Sequence, residues 1–152
     1  CNRARIFIYR QRYGDAFAEL EKASLLEPNH PIVKLLYAFT IFITDDPARA
    51  AGLFRDLINH YPGEGFRPFL AMCLSATGEH AAARGHLTEN VKKAAAADSD
   101  ISYWLASAYL MENLKDEALK WLEHAINLGD ENRLFFETNP IWKSMRNDPR
   151  FK

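Results

Sequence analysis

The 152-residue chain reads as an all-α solenoid of paired helices, and three observations predict it. Ala16, Ala50, Ala83 and Ala118 recur at separations of 34, 33 and 35 residues. Each opens the same small–large stripe at helical spacing: Ala16-Leu20-Ala23, Ala50-Phe54-Leu57, Ala83-Leu87 and Ala118-Leu122-Ala125. No segment alternates apolar and polar residues as a half-buried strand would. A fixed period of this length is the signature of stacked supersecondary units, each burying its apolar face on the next.

The elements follow in order. Arg3–Arg10 reads as the last turns of a helix whose beginning is absent, with Ala4 and Phe7 inward. With no initiator Met either, a fragment of a longer protein is expected. Gly14 is expected to break this helix, and Asp15 to start the next at its positive end. That helix runs to about Leu26, where Pro28 stops it. After His30 and Pro31 comes the helix Ile32–Thr44. Asp46 is a good N-cap with Pro47 in the first turn, opening Ala48–His60, which Tyr61-Pro62-Gly63 ends.

Phe66–Thr77 is the next helix, closed by Gly78, and Ala81–Ala95 is expected to be one long helix. Ser99 or Asp100 caps Ile101–Glu112, whose inner face carries Tyr103, Leu105, Ala106 and Tyr109. Lys115–Leu128 completes the fourth pair, with Gly129 as C-cap. The predicted units are about 1–29, 30–63, 64–98 and 99–129, with 130–152 as a capping segment. In that segment Glu131–Thr138 should be a short helix packing Leu134, Phe135 and Phe136 on the last repeat. Asn139 should cap a second one, Pro140–Arg146, carrying Ile141, Trp142 and Met145. The ends of a solenoid must be covered, which is reason enough for an apolar tail.

These residues together resemble the tetratricopeptide repeat family. Ala38, Ala71 and Ala106 stand where that family has a small residue in the first helix, and Tyr109 matches its aromatic there. Phe7, Ile41 and Leu74 replace that aromatic elsewhere, and the third repeat departs most, with Asn90 and Ala95 at the usual alanine and proline. The ending Met145-Arg146-Asn147-Asp148-Pro149-Arg150-Phe151 is similar to a Leu/Met-Arg-x-Asp-Pro-Arg-Phe ending seen after such repeats in some multidomain regulators. The resemblance implies antiparallel helix pairs wound into a right-handed superhelix, and a role in protein–protein interaction.

In that architecture the first helix of each pair lines a concave face, the usual peptide groove. The residues facing it would be Arg5, Ile8 and Tyr9, then Ile32, Leu35, Phe39, Phe42 and Ile43. Further along come Met72 and Ser75, then Tyr103, Ser107, Leu110 and Met111. So apolar a surface suits an amphipathic helix or an apolar extended segment of a protein partner. Neighbouring helices or the tail could equally cover it. Two alternatives stand beside partner binding: a homodimer closed through the groove, and a regulatory domain of a larger signalling enzyme or transcription regulator. The acidic C-terminal tails of heat-shock chaperones, which some proteins of this family grip, are not expected as partners of this chain. The positions that would clamp a carboxylate hold Leu35, Phe39, Phe69 and Asp100 in one frame and Arg5, Leu36, Gly65 and Phe69 in the other.

Charge and motif content argue against other classes. Nineteen basic and twenty acidic residues leave a net charge of −1, without the basic bias of a direct nucleic-acid binder. Ile32–Ile43, the longest apolar run, is too short to span a membrane. The two cysteines, Cys1 and Cys73, form no disulfide framework and no zinc spacing, and suit the reducing cytoplasm. His80 and His86 are too far around a helix to chelate together, Asp45-Asp46 reads as a helix start, and Gly63-Glu64-Gly65 lacks the Lys and Ser/Thr of a phosphate loop. No enzyme, metal or cofactor is therefore expected.

Overall fold

The computed structural model of the chain describes residues 1–130 and 133–151, with backbone alone for Arg133 and Leu134. Among these residues all regular structure is helical: α1 (Asn2–Tyr9), α2 (Tyr13–Leu26), α3 (Pro31–Ile43), α4 (Pro47–His60), α5 (Arg67–Ala76), α6 (His80–Gly85), α7 (Glu89–Ala97), α8 (Ser99–Met111), α9 (Lys115–Asn127) and α10 (Arg133–Thr138). Two short 3-10 helices, Pro140–Met145 and Pro149–Phe151, end the chain. From α1 to α6, and again from α7 to α9, each helix packs on the next; α5 also packs on α8.

The alanines that carry the period sit where helices touch. Ala16, Ala50, Ala83 and Ala118 are completely buried, and so are Ala38 and Ala106. A methyl group is all that fits there, and the bulk comes four residues later from Leu20, Phe54, Leu87 and Leu122, all buried.

The turns inside the pairs repeat as strictly as the alanines. Gln11, Asp45, Gly78 and Asn113 all have positive φ, at 57°, 78°, 83° and 59°. In each case the following N–H donates to a carbonyl five residues back: Arg12 to Phe7 (2.8 Å), Asp46 to Ile41 (3.2 Å), Glu79 to Leu74 (2.8 Å) and Leu114 to Tyr109 (2.9 Å). This is the Schellman closure, which satisfies carbonyls that a helix end leaves open. Gly129 (φ 99°) ends α9 the same way, as its sequence position suggested.

Three local expectations are corrected. The first break falls at Gln11, and Gly14 lies inside α2, two residues before the buried Ala16. The expected helix Ala81–Ala95 is two: His86 ends α6, and the Thr88 side chain accepts from Val91 N–H (3.3 Å) to start α7. A local N-cap therefore competes successfully with continued helix in the alanine-rich run. The cap of α8 is Asp98, accepting from Ile101 N–H at 3.0 Å, rather than Ser99 or Asp100. Asp46 and Asn139 cap as expected, the latter opening a 3-10 helix.

Gln11 occupies a left-handed conformation that costs a side-chain-bearing residue about 1 kcal/mol relative to glycine. Compared with Gln11→Ala, which loses the same side-chain hydrogen bond to Thr138 O, Gln11→Gly should therefore have a thermal midpoint higher by roughly 2–4 °C, measured by circular dichroism. An unchanged or lowered midpoint would show that the turn is not strained.

Candidate functional site

The row of helices α1, α3, α5 and α8 carries the residues that sequence reasoning placed in an open groove. Seven of them are buried. Phe39 (3% exposed), Met72 (1%), Tyr103 (2%) and Ser107 (0%) are closed to solvent, the covered alternative that the sequence left open for this face. Ile8, Ser75 and Leu110 are buried as well. Tyr9, Leu35, Phe42, Ile43 and Met111 are half-buried, and Arg5 and Ile32 are exposed. The reason lies in α3 itself. PIVKLLYAFTIFI is apolar nearly all round, and a helix of that kind is buried on more than one side.

The tail supplies the cover. Phe135 stacks on Tyr9 (ring centroids 4.3 Å) and stands edge-on to Phe39 and Trp104 (6.4 and 5.7 Å). Phe136 stacks on Tyr103 at 4.8 Å, and Trp142 lies beyond it at 6.2 Å. Polar bonds fix the register: Trp142 Nε1 donates to Ser107 Oγ (3.0 Å), and Asn139 Nδ2 to the Tyr103 hydroxyl (2.8 Å). Burial pushes the Tyr103 phenol well above its ordinary range, so it stays neutral. Thr138 Oγ1 donates to Tyr9 O and Gln11 Nε2 to Thr138 O, both at 3.3 Å, tying the tail to the end of α1. Arg150 reaches back to Asp116 on α9 at 2.7 Å.

Trp142 and Met145 are completely buried, and Phe135 and Phe136 nearly so. At ~1.5–3 kcal/mol for each large apolar side chain, this burial makes the tail a wall of the fold rather than a removable strap. The expected packing of Leu134 lies outside the described side chains.

What remains open on this side is a notch. A cavity of about 60 Å³ has Arg5, Tyr9, Leu35 and Asp100 among its walls and Phe39 and Trp104 deeper in. Burial, and then the field of Asp130 and Asp98, raises the Asp100 carboxyl above its ordinary range, with Arg5 acting the other way.

Sequence reasoning missed a second polar cluster. Glu112, whose side chain is 1% exposed, accepts from Ser75 Oγ (2.5 Å), His80 Nδ1 (2.9 Å) and Arg84 Nε (2.9 Å). Burial would raise its carboxyl, but the three donors outweigh burial and hold it below its ordinary range. The serine and the histidine both donate to one carboxylate oxygen. The histidine therefore does not accept from the hydroxyl, and the carboxylate that does is also held by Arg84. The available signal was an acid ending an otherwise apolar helix.

Beside this cluster, Arg67 Nη1 lies 3.2 Å from His86 Nδ1, which can accept only while the ring is neutral. Cys73 is buried, and its thiol is pushed up to about 12. Among the described residues no group of three or more His, Cys, Asp or Glu side chains could hold a metal ion, and no helix is long and apolar enough to cross a membrane. No family model matches this chain, and no curated protein matches it either.

Two measurements test this description. Trp142→Ala should lower stability by about 3–5 kcal/mol in urea denaturation, whereas a loosely attached tail would give a loss near zero. His86 is held below its ordinary 6.5 by burial and then by Arg67 and Arg55. The unfolded chain therefore binds more protons at this site, and its contribution is complete above about 6.5 and lost as pH falls. Wild-type stability should decline between pH 7 and 5, and His86→Gln should flatten that decline. An identical slope in the variant would rule out the assignment.

Proposed function

We propose that the chain is a protein-interaction module of the tetratricopeptide type, its helix pairs wound in a right-handed superhelix. Supporting the repeat reading is the shared spacing of two independent features. The buried alanines and the left-handed turn residues both recur at 34, 33 and 35 residues. The function is binding a protein or peptide partner on the concave side, with no catalytic step, metal or cofactor of its own.

The observation that carries this reading is the notch left beside the tail. Leu35 and Tyr9 are half-buried in the wall of an aromatic-lined cavity whose charged groups are Arg5, Asp100 and Asp130, and Ile32, three residues before Leu35 on α3, is exposed. A site of about 60 Å³ takes one or two side chains, not the length of a peptide. The expected ligand is therefore an apolar anchor residue on a partner surface, oriented by polar contacts at the rim.

Leu35→Glu places a charge at that mouth without entering the buried stripe of α3. It should abolish capture of partners that the wild-type chain retains in affinity purification, while the circular dichroism spectrum and thermal midpoint stay close to wild type. Capture that survives in the folded variant would refute the notch as the binding surface.

A further inference from the structure

The end of α2 is built inside out relative to the same place one repeat later. In the register that aligns Ala16 with Ala50, the residues Ala23-Ser24-Leu25-Leu26 correspond to Leu57-Ile58-Asn59-His60. In α4 the order is conventional: Leu57 is buried, Ile58 is half-buried, and Asn59 and His60 are exposed. In α2 the inner pair is small, and the two leucines that follow are each 84% exposed.

Missing bulk leaves a hole. A cavity of about 410 Å³ opens between α2, α3 and α4, floored by Leu20, Val33 and Leu57 and edged by Ser24. Its rim carries Glu21 and Asp56 together with Lys34. Leu25 lies one turn beyond Glu21 and directly follows Ser24, so it stands at the edge of this opening.

We propose that this face is the contact between two copies of the chain, with Leu25 of each copy seated in the α2–α4 cavity of the other. A protruding apolar knob and an apolar hole side by side on one surface are self-complementary under a two-fold axis, the commonest arrangement of homodimers. The rim fits the same operation, because Lys34 of one copy meets the Glu21 and Asp56 carboxylates of the other. Two adjacent leucines left in water are the kind of exposed apolar surface that marks an interface. The contact lies on α2, α4 and the side of α3 bearing Val33, Lys34 and Tyr37, whereas Leu35 and Phe39 line the notch, so the two surfaces share no lining residue.

Sedimentation velocity over a wide concentration range tests it. The wild-type chain should shift toward twice its 17.4 kDa mass as concentration rises. Leu25→Glu removes both knobs of the dimer and should raise its dissociation constant at least about a hundredfold. Ser24→Ile narrows the mouth of the hole with the residue the next repeat uses; it should also weaken the dimer while leaving the thermal midpoint no lower than wild type. A wild-type chain that stays monomeric throughout overturns the proposal. So does a dimer that survives either variant, since knob and hole must fail together, and so does a dimer that only Leu35→Glu dissolves.

Discussion

Close approach at one small side chain per helix pair governs the rest of the structure. Ala16, Ala50, Ala83 and Ala118 have no accessible surface, and each lies five residues after a residue in the left-handed conformation: Gln11, Asp45, Gly78 and Asn113. The two features work as one device. The left-handed residue reverses the chain in a turn of fixed length, and that length delivers the alanine to the point where the returning helix meets its partner. A longer turn would rotate the second helix and bring a larger or charged residue to the contact. This accounts for the tolerance of Gln and Asn at a backbone position that favours glycine, since the turn geometry is over-determined by the packing it serves.

Where the repeat is irregular, polar bonds take over. The second helix of the third pair is broken at His86–Thr88, leaving α6 with only six residues, too few to be stable by themselves. That short helix is held from outside. His80 and Arg84, one turn apart on α6, both donate to Glu112 at the end of α8, and Ser75 on α5 donates to the same carboxylate. A buried carboxylate with these donors costs much less than an unpaired one, and its geometry admits one placement of α6 against α8. Arg67 reaching His86 adds a second tie at the break itself.

How far the sequence could be read follows from what periodicity encodes. It reports which side of a helix is apolar, and the stripes from Ala16 to Ala125 were legible for that reason. It does not report what covers that side. The apolar run of α3 is equally consistent with a groove and with a core, and the deciding contacts come from Phe135 and other residues about a hundred positions away. The Schellman turn at Gln11 was hidden because glutamine is an unusual residue there, while Gly14 nearby looked like the natural break. The split between α6 and α7 was hidden by alanines whose helix propensity favours continuity. Its signal, Thr88 three residues before Val91, is short and local.

The placement of apolar surface then separates two sides of the molecule. On the side carrying Tyr9, Phe39 and Tyr103, Phe135 and Phe136 pack on those rings and Trp142 and Met145 are fully buried behind them, so apolar surface of α3 is covered within the chain. On the outer side, the end of α2 does the opposite, withdrawing bulk from the interior at Ala23-Ser24 and presenting it at Leu25-Leu26. A chain selected only to fold would place those leucines inward, as α4 places Leu57 and Ile58, because the same residues in the hole would add several kcal/mol of burial. Stability forgone at one position, beside apolar side chains held in water, is the physical mark of a surface whose burial is completed by another molecule.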